Sequence, residues 1–197
     1  PLADAGGPYV ATEGTKVLLD ASGSVDPEGR LLTFAWDLDG DGEFDDGAGP
    51  QLEVAAEDDG AFAVAVEVSD SLLTAVAEAE VIVSNVAPAV TLVGDGSAAE
   101  ETPWATSGQI VDPGLADTHT ATVDYGDGGG PQALALDGRA FVLGHVWADP
   151  GTYTVVVQAT DDDGGVGTAS LAVTVGAINH PPVAAPDEVT TPEDYLG

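Results

Sequence analysis

Residues 31–46 read LLTFAWDLDGDGEFDD, and this segment joins a short alternating strand to an acidic turn. Large apolar side chains at Leu32, Phe34 and Trp36 alternate with the smaller Thr33 and Ala35, which is typical of a β-strand with one buried face. Phe34 and Trp36 therefore point to the same face, and we expect Trp36 to be the core tryptophan of a β-sandwich. Glycines follow in the turn, where they permit the positive φ that a tight bend requires. The segment predicts strands that end in acidic loops.

Short runs of the same kind, bounded by Gly, Pro and Asp, recur along the chain. They predict strands at residues 15–22, 31–37, 61–68, 77–84, 89–93, 120–125, 140–147, 152–160 and 168–175. No segment of the sequence combines helix caps with a 3.6-residue apolar period. We therefore predict an all-β fold.

The order of these runs is repeated. Asp26-Pro27 returns as Asp112-Pro113, and Gly60-Ala61-Phe62 returns as Gly151-Thr152-Tyr153. Two repeats of roughly 90 residues with several short strands each fit tandem immunoglobulin-like β-sandwiches. We place them at residues 1–86 and 87–177. An extended C-terminal tail, residues 178–197, is then either the start of a further repeat or a strand used in assembly.

Composition excludes several classes of function. The 197 residues carry 35 Asp and Glu against 3 Lys and Arg, a formal charge of −32 that would repel nucleic acid and anionic membranes. A mean hydropathy of +0.12 is too high for a disordered acidic chain. The sequence has no cysteine, so a divalent cation such as Ca²⁺ is the expected stabilising ligand of small extracellular or cell-surface units. We predict no nucleic-acid partner and no direct insertion into a membrane.

The turn at residues 37–46 is the first candidate calcium site. Carboxylates at alternate positions followed by Gly42 match the first half of an EF-hand loop. The twelfth position is Ala48 instead of a bidentate Glu, so the loop is not an EF-hand. The candidate ligands are Asp37, Asp39, Asp41, Glu43 and Asp45. A solvated Asp/Gly turn without a cation is the alternative interpretation.

Loop positions predict a second acidic cluster between the repeats. Successive strands run in opposite directions, so Glu13, residues 37–49 and residues 57–59 should lie at the end of the first sandwich that faces the second. Asn85, Asp112, Asp117 and residues 161–163 should gather at the near end of the second. Like charges facing each other there would separate the sandwiches, whereas one Ca²⁺ with about six to eight oxygen ligands could hold them together.

Several of these motifs resemble the PKD repeat, named for polycystic kidney disease, of bacterial surface proteins. The first copy carries Ala3-Asp4-Ala5-Gly6-Gly7-Pro8-Tyr9, Asp20-Ala21-Ser22-Gly23-Ser24 and Trp36-Asp37. The second keeps Asp124-Tyr125-Gly126-Asp127-Gly128 and Asp149-Pro150-Gly151-Thr152-Tyr153, with Val123 in place of the tryptophan. The tail, from Asn179-His180-Pro181-Pro182 onward, is similar to the opening of a cadherin-like or immunoglobulin-like repeat.

The resemblance also implies a set of calcium ligands. PKD-like modules of secreted bacterial collagenases carry an ion at the N-terminal end of the sandwich. The corresponding residues here are Asn85, Asp112, Asp161 and Asp163. The second copy has Gly114 where the first has Glu28, so one carboxylate is missing from the pattern. Without an ion the same residues would form a solvated acidic face.

Catalysis has little support in the sequence. His119, His145 and His180 lie on different expected elements and show no paired-ligand spacing. We therefore predict that the segment is not an enzyme. Trp104 and Trp147 are expected in a core or covering a sheet edge, although an exposed pair would favour binding of a glycan or protein.

The leading functional prediction is a non-catalytic, calcium-stiffened spacer or adhesive stalk of a secreted or surface-attached prokaryotic protein. Its partners would be neighbouring repeats of the same chain. One alternative is a fibre subunit whose tail, residues 183–197, adds a strand to an identical subunit. Another is an accessory module of a secreted hydrolase that binds a surface glycan or protein. A high-salt habitat would also explain the acidic composition.

Overall fold

The computed structural model describes residues 1–94 and 96–181. Within these residues there is no helix, and the strands form two immunoglobulin-like β-sandwiches. The predicted all-β fold with two tandem sandwiches is confirmed. The predicted boundary between residues 86 and 87 lies in the connection between the sandwiches, and most of the predicted tail, residues 182–197, lies outside the described residues.

The first sandwich contains strands β1 to β7. Their bounds are β1 (Tyr9–Thr12), β2 (Lys16–Asp20), β3 (Thr33–Asp37), β4 (Gly47–Ala48), β5 (Gln51–Ala55), β6 (Gly60–Ser69) and β7 (Thr74–Ser84). One sheet has the order β1-β7-β6-β3-β4, with β1 parallel to β7, and β2 pairs with β5 opposite it. Trp36 is fully buried between the sheets, and its indole N–H donates to the Gly49 carbonyl at 2.9 Å.

The second sandwich contains strands β8 to β15. Their bounds are β8 (Ala89–Val93), β9 (Ser97–Ala99), β10 (Trp104–Val111), β11 (His119–Asp124), β12 (Gln132–Leu134), β13 (Ala140–His145), β14 (Gly151–Asp161) and β15 (Val166–Gly176). One sheet has the order β12-β11-β14-β15-β9 and the other β13-β10-β8. As in the first sandwich, a short strand near the beginning of the domain, here β9, runs parallel to the last long strand.

Trp147 compensates for the tryptophan that the second copy lacks at Val123. Val123 is 2% exposed, and the Trp147 ring fills the same core at 1% exposure. Trp104 packs edge-on against Trp147 with ring centroids 5.3 Å apart and is itself buried. The expectation that both tryptophans are core residues is therefore confirmed, and they do not form an exposed aromatic pair.

The two sandwiches touch end to end. The connection from β7 to β8 is short, and it brings the loop at Gly14 against Pro113 of the second sandwich. The backbone N–H of Leu115 donates to the Glu57 carbonyl across the junction at 3.1 Å. The loops that meet here are the acidic ones. No helix suited in length and hydropathy to crossing a bilayer occurs in the part of the chain that the structure describes.

Candidate metal centre at the domain junction

Glu13 anchors the connection between the sandwiches. It follows β1, and its backbone N–H donates to the Ser84 carbonyl at 3.1 Å, which extends the parallel pairing with β7. Its side-chain Oε1 accepts a hydrogen bond from the Val86 N–H at 2.6 Å. Glu13 is only 1% exposed, and its Oε2 atom has no hydrogen-bond partner among the described residues. One oxygen therefore orders the connection and the other is left unsatisfied.

Asp117 presents a second unsatisfied carboxylate from the opposite side of the junction. It lies in the loop between β10 and β11 and is 9% exposed. Neither Oδ1 nor Oδ2 has a hydrogen-bond partner in the described ranges. Gly114 lies directly against this carboxylate. A Cβ atom at position 114 would collide with it, so the contact requires glycine. Buried carboxylates without partners are costly, so the arrangement favours a positively charged ligand.

Glu13 and Asp117 meet with Asp58 across the junction. Each of the three offers a carboxylate oxygen, and these oxygens all lie within 4.8 Å of one another. Desolvation raises the pKa of Glu13, and the negative charges of Asp117, Asp112 and Asp59 add to the rise. Desolvation also raises the pKa of Asp117, followed by the charges of Asp112 and Asp161. Both pKa values rise because the ionised carboxylates are partly desolvated and lie close to other negative charges.

A second group of three carboxylates, which shares Asp58 with the first, meets beside this cluster. Asp163 of the second sandwich is grouped with Asp58 and Asp59 of the first, again with ligand oxygens within 4.8 Å. Desolvation, then a hydrogen bond to Asp59 and the neighbouring negative charges, raises the pKa of Asp163 to about 6. Asp163 thus does lie at the junction, as its position in the sequence suggested. Its role as a metal ligand stays a prediction.

Of the other three ligands suggested by the resemblance, Asn85 and Asp161 are in contact, whereas Asp112 contacts Gly114 and His119. Asp161 accepts from the N–H groups of Asp163 and Gly165 through Oδ1 and from Asn85 Nδ2 at 3.2 Å through Oδ2. Asp112 accepts from the Gly114 N–H through Oδ1 and lies 2.8 Å from His119 Nε2 through Oδ2. Protein donors therefore already contact every oxygen of these two carboxylates.

The acidic turn at residues 37–46 satisfies its own carboxylates. Asp37 is buried and accepts from the N–H groups of Gly40 and Gly42, at 2.7 and 3.0 Å. Asp39 accepts from the Asp41 N–H, and Asp41 from the Glu43 N–H. Asp37, Asp39 and Asp41 still present oxygens within 4.8 Å of one another, while Glu43 and Asp45 are exposed. The turn could hold a cation, and its own backbone N–H groups already donate to three of its carboxylates.

Sequence reasoning placed Glu13, Asp58 and Asp117 at the facing ends without choosing them as ligands. The signal available was only their position on loops that face the neighbouring repeat. Which oxygens stay free depends on hydrogen bonds between residues far apart in the chain, such as Glu13 to Val86. Oxygen atoms from carboxylates and amides are the ligands that Ca²⁺ prefers, so the donor set at the junction fits this ion.

The fold and the junction together define a tandem array of immunoglobulin-like modules. The family model described as PKD domain matches residues 1–83 and again residues 85–175. The chain belongs to the PKD domain family, and the predicted resemblance is confirmed for both repeats. Domains of this kind are typically extracellular and generally non-catalytic. The predicted cadherin-like start of a further repeat falls largely on residues that the structure does not describe.

Solved structures with a similar fold include single and tandem domains. The PKD domain of an M14-like peptidase from a Thermoplasmatales archaeon is 26% identical, covers 47% of this chain and 98% of its own, and has a TM-score of 0.40. The titin domains Z1Z2 in complex with telethonin are 18% identical and cover 87% of this chain and 93% of their own, with a TM-score of 0.44. No curated protein matches the chain.

Proposed function

We propose that this chain is a non-catalytic, calcium-binding spacer or adhesive stalk segment of an extracellular or cell-surface prokaryotic protein. The observation that carries the proposal is the convergence of acidic side chains from both sandwiches on one end-to-end junction, with buried oxygens that find no hydrogen-bond partner within residues 1–94 and 96–181. In this proposal Ca²⁺ binds at the junction and sets the stiffness of the rod. The ligands implied by the PKD resemblance are Asn85, Asp112, Asp161 and Asp163.

Charge is the physical reason for this role. The facing loops carry acidic groups within a few ångströms of one another, and their repulsion opposes docking of the sandwiches. A divalent cation would replace that repulsion by attraction to oxygens of both domains. Simple screening by bulk salt would weaken the repulsion without creating a shared ligand. Calcium and salt therefore have distinguishable effects on shape.

Small-angle X-ray scattering of the purified chain tests the proposal. We expect a single extended shape in millimolar CaCl₂ and a broader distribution of interdomain angles in EGTA. NaCl at matched ionic strength should not restore the extended shape. Identical profiles in calcium and in EGTA would contradict the proposal, and full restoration by NaCl would favour adaptation to high salt. Variants Asp39→Asn and Asp41→Asn provide a matched control, because they remove carboxylates from the 37–46 turn, which shares no residue with the junction cluster, and should leave the calcium effect on shape intact.

Neither alternative function receives comparable support. Assembly through residues 183–197 concerns a segment outside the described residues, so it stays a prediction. Binding of a glycan through an exposed tryptophan pair has lost its basis, because Trp104 and Trp147 are buried. The spacer role is thus the function that the site supports best.

A further inference from the structure

The acids at the junction differ in how well their oxygens are satisfied. Asp112 and Asp161 have protein donors on both carboxylate oxygens. Glu13 Oε2, both oxygens of Asp117 and the neighbouring amide oxygen Asn85 Oδ1 have none among the described residues. A cation gains most where the oxygens it contacts are already desolvated and unpaired. The position of the unpaired oxygens is therefore a better guide to the binding site of an ion than the number of carboxylates nearby.

We propose that the junction cation is bound by Glu13 and Asp58 of the first sandwich and Asp117 of the second, a bridging site for a hard divalent ion such as Ca²⁺. This inference rests on the proposed function and names the ligands of its junction site. It differs from the set implied by the PKD resemblance, in which every carboxylate comes from the second sandwich. An ion held by both sandwiches links them directly, whereas an ion held by one does not.

The basic residues of the chain do not neutralise this cluster. Lys16 pairs with Glu53 at 2.9 Å, and Arg30 pairs with Asp70 at 3.1 Å. Arg139 reaches the junction side of the second sandwich, but it donates to the carbonyl oxygens of Asp112 and Gly114. These three residues are all the Lys and Arg in the sequence, and each is paired with a group outside the cluster. Among the described residues an imidazole nitrogen of His119 lies within 4.8 Å of an Asp117 oxygen, but His119 already contacts Asp112. Neither Glu13 nor Asp117 has a Lys or Arg partner there.

Glu100 is a natural control for Glu13, because it has the same structural role without the proposed role as a ligand. It occupies the equivalent place in the second sandwich, where its N–H donates to the Gly176 carbonyl at 3.0 Å. Its Oε1 accepts from the Ile178 N–H at 2.8 Å and contacts His180 Nε2 at 3.1 Å. Both glutamates therefore hydrogen-bond to the residues that follow their sandwich, but among the described residues Glu13 alone of the two faces the acids of another domain. Glu100→Gln is the matched control for Glu13→Gln.

Isothermal titration of the full chain with CaCl₂ tests the ligand set. We expect Glu13→Gln and Asp117→Asn each to lose one equivalent of bound calcium relative to the unsubstituted chain, and Glu100→Gln to lose none. The same two variants should lose most of the calcium-dependent rise in melting temperature. Asp58→Asn should show the same loss, and because Asp58 is exposed this third variant keeps the test valid if a buried substitution impairs folding.

The outcomes separate this inference from the proposed function. If Asp112→Asn or Asp161→Asn abolishes the junction calcium while Glu13→Gln, Asp58→Asn and Asp117→Asn bind normally, the ligand set is overturned and the spacer function stands. If the unsubstituted chain binds no calcium at millimolar concentration, both fail. Loss of one equivalent in the three bridging variants, with normal binding in Glu100→Gln, supports the inference.

Discussion

At the scale of single residues, the surroundings of each carboxylate decide the direction in which its pKa moves. Asp70 follows β6 and accepts from the N–H groups of Leu73 and Leu72, with Arg30 on its other oxygen. The hydrogen bonds from Leu73 and Leu72 lower the pKa of Asp70 to about 2. Desolvation, together with the carboxylates that Asp163 faces, moves the pKa of Asp163 in the opposite direction. Donors stabilise a carboxylate and neighbouring acids destabilise it.

The low pKa of Asp70 predicts that its contribution to folding stability is lost at acid pH. Its folded-state pKa is about 2, below the value of about 3.9 in an unfolded chain, so its charge stabilises the fold above about pH 4. That contribution is lost as the pH falls through 2. We expect Asp70→Asn to be less stable than the unsubstituted chain at pH 6 and the difference to shrink between about pH 4 and 2.

Urea unfolding at several pH values measures this difference. Asp149→Asn serves as the control, because Asp149 is exposed and its side chain makes no described hydrogen bond. Its effect should stay within about 0.5 kcal/mol at every pH. A gap for Asp70→Asn that is equally large at pH 6 and pH 2.5 would contradict the assignment of the low pKa to Asp70.

At the scale of secondary-structure elements, the close approach of β15 to the connection between the sandwiches requires glycine. Gly167 is the second residue of β15, and a Cβ atom there would collide with the carbonyl of Pro88. Gly176 ends the same strand, and a Cβ atom there would come no closer than 3.8 Å to the Ala98 carbonyl. One strand thus carries a glycine that is sterically required and one that is not.

Substitution of these two glycines by alanine should therefore give different results. We expect Gly167→Ala to destabilise the second sandwich by about 1–3 kcal/mol, because the backbone must move to relieve the contact with Pro88. Gly176→Ala should stay within about 0.5 kcal/mol. Chemical denaturation followed by near-ultraviolet circular dichroism compares the two variants. Equal losses would show that the approach of β15 to Pro88 does not limit stability.

At the scale of the whole molecule, two separate cores are joined through a charged junction. Each core is centred on buried tryptophan, Trp36 in the first and Trp147 with Trp104 in the second. The contacts between the sandwiches, in contrast, include the acids around Glu13 and Asp117. Apolar packing thus stabilises each domain separately, and the coupling between them depends on how the junction charge is compensated.

Calcium should therefore couple the unfolding of the two sandwiches. In EGTA we expect calorimetry to show two transitions, one for each core. Calcium at 100 times its dissociation constant adds about 2.7 kcal/mol to the state that binds it, and in a domain of this size that raises the melting temperature by roughly 10 °C or more. An ion held by both domains is released when either one unfolds, so the lower transition should move towards the upper one. Independent transitions that keep their spacing in calcium would argue against a shared ion.

Side-chain pattern distinguishes the strands that were predicted from sequence from those that were not. β6, β7, β14 and β15 are long and carry alternating or β-branched residues, and each overlaps a predicted strand. β10 was not predicted, because Ser107, Gly108 and Gln109 interrupt its apolar pattern. In the structure Gly108 leaves room for the Phe141 ring from the neighbouring strand β13. A glycine that is required by contact with a neighbouring strand does not contribute to the alternating apolar pattern from which strands are predicted.

The sequence by itself determined the all-β class, the two repeats, the core position of Trp36 and the meeting of acidic loops between the sandwiches. Period-two patterning and turn residues are local properties, so they can be read without coordinates. Tertiary structure decided which carboxylate oxygens at the junction have donors and which have none. That distinction depends on contacts such as Glu13 with Val86 and Asp161 with Asn85, which join residues more than 70 positions apart. Only a folded chain fixes those partners, because desolvation and hydrogen bonding at a carboxylate are set by its neighbours in space.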